Sequence, residues 1–130
     1  MSRYISLLII AVSFLALSSC SGLSREGKKI AGKYIIPEIS QNEPIMELNR
    51  DATCLVRAIK PGVLTYSVSG KWNVEKDSLI MWLDPATLQV SGDSSLVGNI
   101  PTKSARKIVE HNEFNLQLES GGITYYYKKI

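Results

Sequence analysis

The chain of 130 residues is 45% hydrophobic and 21% charged, and its 15 basic and 12 acidic side chains give a formal net charge of +3 at pH 7. A balance so close to neutral argues against nucleic acid as a partner, because nucleic-acid-binding domains carry a marked basic excess. A chain of this length builds one small domain around a single core.

The first twenty residues predict an export signal. Arg3 supplies a positive start, and residues 5–17 form an apolar run of 13 residues. Such a run is too short to cross a hydrocarbon core, which takes roughly 20 helical residues. The sequence therefore predicts a signal peptide over residues 1–19 that is removed from the mature protein.

The end of this signal, Leu-Ser-Ser-Cys at positions 17–20, resembles the lipobox of bacterial lipoproteins. The resemblance implies cleavage before Cys20, diacylglycerol on its sulfur and a fatty acid on its new amino group. Two or three acyl chains hold a protein firmly on a membrane. We therefore expect a lipid anchor on Cys20 in the cell envelope, with the domain facing the periplasm. The alternative is an ordinary secretory signal in which Cys20 has no role.

Residues 20–29 predict a short lipidated tether, because they are polar, small and without hydrophobic period. Nine extended residues reach at most about 30 Å. The folded domain is then expected over residues 30–130. Cys54 is the remaining thiol of that domain, and the expected role of a lone cysteine in a strand is that of a small buried hydrophobic residue.

Beyond residue 30 the sequence is typical of an all-β domain. Apolar, β-branched or aromatic runs recur at residues 32–36, 45–48, 53–59, 63–74, 79–83, 88–90, 96–100, 114–118 and 123–127. Turn-forming residues such as Asp84-Pro85-Ala86 and Gly121-Gly122 separate them. Pro101–Val109 has few residues to bury, so we predict a connection between strands there. The runs predict one antiparallel meander, closed as a barrel of about eight strands or flattened into a sandwich.

Alternation within two runs separates an inward face from an outward one. The even positions from 64 to 74 are Leu64, Tyr66, Val68, Gly70, Trp72 and Val74, while the odd ones are polar. Phe114, Leu116 and Leu118 alternate with polar residues in the same way. Residues 79–83 are apolar on both faces, which indicates a strand covered on both sides or one whose outer face meets a partner.

Several segments resemble the small lipocalin-like domains of bacterial envelope lipoproteins. They are Gly32-Lys33-Tyr34, residues 47–53, and residues 70–74 followed by 77–80. The resemblance covers most of residues 30–130 and implies a lipocalin-like barrel. A barrel of eight strands is just wide enough to be filled by side chains or to hold one small ligand. The aromatic candidates for either role, core filling or the lining of a ligand pocket, are Tyr66, Trp72, Trp82 and Phe114.

The sequence carries no motif of a known catalytic or cofactor site. The nucleophile elbow, the P-loop and the dinucleotide fingerprint are all absent. His111 is the single histidine and has no cluster of ligand residues around it in the sequence, so we expect no metal. A hydrolase built from Ser94 with His111, or from scattered carboxylates, is the catalytic alternative.

We therefore expect a non-catalytic binding or interaction module of the cell envelope, without a cofactor. Its expected partner is another envelope protein, and capture of a small apolar ligand is the alternative. Met81 and Tyr126 are the candidates for an interaction surface. Met81 lies in the run that is apolar on both faces, and Tyr126 is left outside if Tyr125 and Tyr127 face the core.

Overall fold

The computed structural model describes residues 22–130. The signal peptide predicted over residues 1–19 and the lipid predicted on Cys20 fall outside the described residues. Within them, no helix is both long and apolar enough to cross a membrane.

An all-β fold occupies the described range. Its elements are helix α1 (Arg25–Ile30), β1 (Gly32–Ile35), β2 (Met46–Leu48), β3 (Thr53–Lys60), β4 (Leu64–Glu75), β5 (Ser78–Gly92), a 3-10 helix (Ser94–Leu96), β6 (Lys103–His111), β7 (Asn115–Ser120) and β8 (Ile123–Lys129). Each strand pairs antiparallel with the next, and β1 pairs antiparallel with β8. The predicted antiparallel meander of eight strands is confirmed, and it closes as a barrel rather than a sandwich.

The antiparallel order gives the barrel two distinct ends. Helix α1 leads directly into β1, and the connections β2–β3, β4–β5 and β6–β7 lie at that same end. We call it the helix end. The loop end carries the connections β1–β2, β3–β4, β5–β6 and β7–β8. A side-chain contact of 3.7 Å between the Glu26 carboxylate in α1 and the His111 imidazole at the end of β6 places α1 across the helix end.

Inward-facing side chains fill the core. The most completely buried include Tyr34, Trp72, Leu79, Leu116 and Leu118. Cys54 is buried as predicted. The members of the main core cluster among the described residues lie between residues 23 and 127.

Helix α1 occupies the second half of the segment 20–29 that is predicted to be a tether. The side chain of Ser24 accepts a hydrogen bond from the Gly27 N–H and so caps the helix. Leu23 and Ile30 are buried and belong to the core cluster. A helix of one and a half turns has too few apolar positions to show a hydrophobic period in the sequence. Such a short helix is stabilised by packing against the barrel. Residues 23–30 are therefore part of the folded unit.

The prediction of a connection over Pro101–Val109 was wrong, because β6 begins at Lys103. The inward face of β6 carries Ser104, Arg106 and Ile108, and only the last of these is apolar. The Arg106 guanidinium donates to the Tyr127 hydroxyl at 2.8 Å and lies 5.0 Å from the centre of the Tyr125 ring. A polar side chain takes the place of an apolar one, so the strand shows no hydrophobic alternation.

Two further local predictions were wrong. Residues 96–100 form no strand, since the Asp93 carboxylate accepts from the Ser95 N–H and caps the 3-10 helix instead. Asp84-Pro85-Ala86 does not end β5. Residues 85–88 form a bulge between the pairs Ser69–Asp84 and Ser67–Gln89. Proline is accepted there because a bulge residue needs no ladder hydrogen bond.

Candidate functional site

The four aromatic candidates for core filling or pocket lining differ in how deeply the barrel buries them. Trp72 is 1% exposed, and its indole N–H donates to the Asn49 carbonyl oxygen at 2.8 Å. Tyr66 lies half-buried on β4 beyond the bulge. Trp82 and Phe114 are 39% and 66% exposed. Only Trp72 therefore belongs to the main core cluster.

Phe114 leaves the predicted pattern because of the β6–β7 turn. Its N–H donates to the Asn112 side-chain oxygen at 2.8 Å, as does the Asn115 N–H at 2.9 Å. This turn geometry places Phe114 before the start of β7, where strand alternation does not apply.

The two candidates for an interaction surface also differ, since one is buried and the other is exposed. Met81 is 3% exposed and lies in the core, because it pairs with Trp72 and shares its inward side. Met81 is thus not a surface residue, and Trp82 is the exposed member of that run. Tyr126 is 64% exposed on the outer face of β8.

The barrel interior is occupied by the chain's own side chains. The rings of Tyr34 and Tyr127 meet edge to face, with centres 6.5 Å apart. Burial raises the pKa of Tyr34 to about 12, and burial also raises the pKa of Tyr127, against the opposing effect of the nearby Arg106 charge. The interior thus combines packed rings with a half-buried arginine that is held by two tyrosines.

An open groove of about 1150 Å³ lies on the outer face of β2 to β5. Two cross-strand rows form its floor. Thr53, Lys71 and Trp82 make one row, and Glu47, Leu55, Ser69 and Asp84 make the other. Directly paired residues in antiparallel strands lie on the same face, so these side chains share the surface outside the barrel. Trp82 is the large apolar side chain among them.

Arg57 holds one wall of the groove in place. Its guanidinium forms ion pairs with Glu47 and, at 3.3 Å, with Glu43, and it donates to the Pro44 carbonyl oxygen at 3.0 Å. These contacts tie the β1–β2 loop to β3 and neutralise the arginine charge.

The cations that face outward beside Trp82 are lysines. Trp82 lies opposite Lys71 on β4 and opposite Lys103 on β6, and both lysines are exposed. Neither forms an ion pair with a carboxylate within the described range 22–130. Trp82 therefore lies between two cations in its cross-strand row, with Lys71 lining the groove and Lys103 on the neighbouring strand beside it.

The residues proposed for a hydrolase do not meet. Ser94 lies in the β5–β6 connection at the loop end, whereas His111 ends β6 at the helix end. The nine residues of β6, which span roughly 30 Å, separate Ser94 from His111. A nucleophile and its base must be within hydrogen-bond reach, so Ser94 and His111 do not form a dyad. Among residues 22–130, no group of three or more histidine, cysteine, aspartate or glutamate side chains is placed to hold a metal ion.

The groove was not foreseen from the sequence. Its residues come from four strands and are polar in majority, so no single segment marks it. The apolar run at 79–83 was the available signal, but it pointed to Met81 instead of Trp82.

No protein-family model matches the chain, and no curated protein matches its sequence. Among solved structures, it is similar to an uncharacterized protein from Bacteroides eggerthii DSM 20697, with 14% identity, a TM-score of 0.48, and coverage of 77% of this chain and 98% of that one. It is also similar to a lipocalin-like protein from Bacteroides uniformis ATCC 8492, with 14% identity, a TM-score of 0.42, and coverage of 78% and 99%. At 14% identity neither neighbour assigns a function to this chain.

Proposed function

We propose that this protein is a non-catalytic binding module of the bacterial cell envelope, anchored by lipid on Cys20, and that it recognises another envelope protein through the outer groove. The observation that carries the proposal is the contrast between Trp72 and Trp82. The inner tryptophan helps to fill the barrel, whereas the outer one is presented to solvent in an open groove.

Trp82 is the expected anchor of the interface. Tryptophan is among the residue types that dominate binding energy when a partner desolvates them. The exposed lysines at 71 and 103 flank the ring and carry positive charge without an ion-pair partner in the described residues. The complementary partner is a protein surface with an apolar side chain for the ring and carboxylates for the two lysines.

The membrane anchor is tested by mass spectrometry of the N-terminal peptide of the full chain expressed in a bacterial host. We expect cleavage between Ser19 and Cys20 and an added mass of diacylglycerol and fatty acid. A Cys20→Ser variant serves as the control and is expected to carry no lipid. A mature N-terminus at another residue, or an unmodified Cys20, would contradict the anchor.

The protein partner is tested by photo-crosslinking in intact envelopes. A photoreactive residue at position 71 is expected to give a discrete crosslinked product, which Trp82→Ala reduces at least tenfold, the size of effect typical of a hot-spot tryptophan (roughly 2 kcal/mol or more). Tyr126→Ala is the matched control, since this exposed ring lies on β8, outside the groove. Loss of the product in Tyr126→Ala but not in Trp82→Ala would move the interface to the face on which β8 lies.

A further inference from the structure

We propose that the helix end of the barrel lies directly against an anionic membrane, with Phe114 and Ile130 inserted at the lipid interface and lysines on the headgroups. The inference takes the orientation of the domain from the anchor proposed at Cys20. The contact surface itself is made entirely of described residues.

The first argument is the length of chain between the anchor and the barrel. Leu23 is buried, and the Ser24 N–H donates to the side-chain oxygen of Asn73 near the end of β4 at 2.9 Å. The chain is therefore fixed to the barrel from residue 23 onward. Two residues lie between Cys20 and Leu23, and the three Cα–Cα steps that join these residues reach at most about 10 Å. A lipid on Cys20 cannot lie far from the helix end.

The second argument is an exposed apolar pair at that end. Phe114 lies in the β6–β7 turn, and Ile130 follows β8 with 56% of its surface exposed. The two are neighbours, because the Lys129 N–H donates to the Phe114 carbonyl oxygen at 2.7 Å. The Ile130 N–H donates in turn to the Lys33 carbonyl oxygen at 2.9 Å. The backbone hydrogen bonds thus keep the two residues side by side, and both side chains are exposed, as are the aromatic and aliphatic residues that anchor peripheral proteins.

The third argument is the charge around the pair. Helix α1, the turn at 112–114 and residues 128–130 contain five basic side chains against two acidic ones, namely Arg25, Lys28, Lys29, Lys128 and Lys129 against Glu26 and Glu113. Anionic lipids attract such side chains, and the long stems of lysines can lie along the interface while the ammonium groups reach the headgroups. A basic rim around an apolar tip is complementary to an anionic bilayer.

The contact is weak by itself and becomes effective through the anchor. A few lysines and two apolar side chains give reversible binding, but a lipid attached a few residues away keeps the surface at high local concentration. The consequence is a fixed orientation, with the loop end pointing away from the membrane and the outer groove along the side of the barrel.

Sedimentation with vesicles tests the surface without the anchor. The segment 22–130, which contains every core residue that the structure describes, is mixed with vesicles of phosphatidylcholine and phosphatidylglycerol or of phosphatidylcholine alone. We expect binding to the anionic vesicles. Phe114→Ser should weaken it about tenfold, and Lys28→Glu with Lys128→Glu by at least about tenfold, since each basic side chain near an anionic surface contributes about fivefold. Equal binding to both vesicle types would overturn the proposal.

Ile123→Ser is the matched control for the apolar contact. Ile123 is 58% exposed but lies next to the β7–β8 turn at the loop end. We expect its replacement to leave vesicle binding unchanged. A loss equal to that of Phe114→Ser would show that binding has no preferred end and would contradict the proposal.

Fluorescence quenching tests the orientation of the lipidated full chain. Phe114→Trp and Ile123→Trp variants are reconstituted into vesicles that contain brominated lipid. Wild type retains Trp72 and Trp82 and sets the background, and we expect quenching above that background for Phe114→Trp and none above it for Ile123→Trp. Absence of quenching at 114 in a protein whose lipid is shown by mass spectrometry would refute this inference while leaving the anchor intact. An unlipidated protein that still binds anionic vesicles would refute the anchor while leaving this inference intact.

Discussion

At the scale of single residues, one step along a strand decides between core and surface. Trp72 pairs with Met81, and Lys71 pairs with Trp82, on the same two strands. Because successive side chains point to opposite sides of a sheet, the first pair faces the interior and the second faces the groove. The interior therefore receives its packing from Trp72, and the proposed interface receives its aromatic anchor from Trp82.

This difference predicts unequal effects on stability. Trp72→Ala is expected to lower the free energy of unfolding by about 3–5 kcal/mol, because it removes a fully buried side chain and leaves a cavity. Trp82→Ala is expected to change it by less than about 1 kcal/mol. Urea unfolding followed by circular dichroism measures both. Equal losses would show that Trp82 is part of the core.

The buried acidic groups predict loss of stability at alkaline pH. Burial raises the pKa of Tyr34 to about 12 and that of the Cys54 thiol to about 11. The folded chain then keeps protons that the unfolded chain releases, so this contribution is complete below about pH 9 and is lost as pH rises toward about 12. Tyr34→Phe should flatten the fall of the unfolding free energy with pH over that window. Tyr126→Phe, a change at an exposed ring, is the control, and an equal slope in wild type and Tyr34→Phe would contradict this account.

At the scale of elements, helix α1 shows how a short segment becomes part of the fold through packing. The Tyr34 hydroxyl donates to the carbonyl oxygen of Ile30 at the end of the helix, and the Ile30 side chain enters the core. A helix this short is unstable alone, so its contacts with the barrel maintain it. Those same contacts shorten the chain available as a tether.

We predict that Ile30→Ala destabilises the whole domain by about 2–5 kcal/mol, the range for a large buried side chain that is cut back to alanine. Lys28→Ala is the control in the same helix, because Lys28 is exposed. The midpoint of urea unfolding compares them. If both variants unfold at the wild-type midpoint, α1 is dispensable and the segment acts as a tether after all.

The strand elements show where sequence patterns fail. β6 was overlooked because Ser104 and Arg106 face inward, and the pairing of Arg106 with Tyr127 is formed only when β8 closes the barrel. β5 continues past Pro85 because β4 stays its partner on both sides of the bulge, through the pairs Ser69–Asp84 and Ser67–Gln89. Neither contact lies within one segment, so a local pattern cannot predict it.

At the scale of the whole molecule, closure of eight strands produces a barrel with a packed interior and two unlike ends. The helix end holds α1, Phe114 with the basic residues around it, and the connections β2–β3, β4–β5 and β6–β7. The loop end holds the other four connections between strands. The outer groove lies between the two ends, on the side formed by β2 to β5. The groove reaches the helix end, because Gly22 and the β2–β3 residues Asn49 and Asp51 line it.

The packed interior predicts that the domain carries no small ligand. Native mass spectrometry of the segment 22–130 is expected to give the mass of the bare polypeptide, equal to the mass after denaturation. The measurement is repeated on protein recovered from bacterial envelopes, to expose it to the lipids found there. A reproducible extra mass that disappears on denaturation would contradict the packed interior and support a carrier of small apolar ligands.

The sequence alone determined the all-β fold class, the antiparallel meander and the burial of Cys54 and Trp72. Alternation and turn residues are local properties, so they can be read along one strand at a time. Tertiary structure alone decided that Met81 is buried, that Trp82 and Phe114 are exposed, that α1 packs on the barrel, and that Arg106 faces inward. Each of these depends on pairing between segments distant in the chain. The register with a neighbouring strand determines whether a side chain faces the core or the solvent.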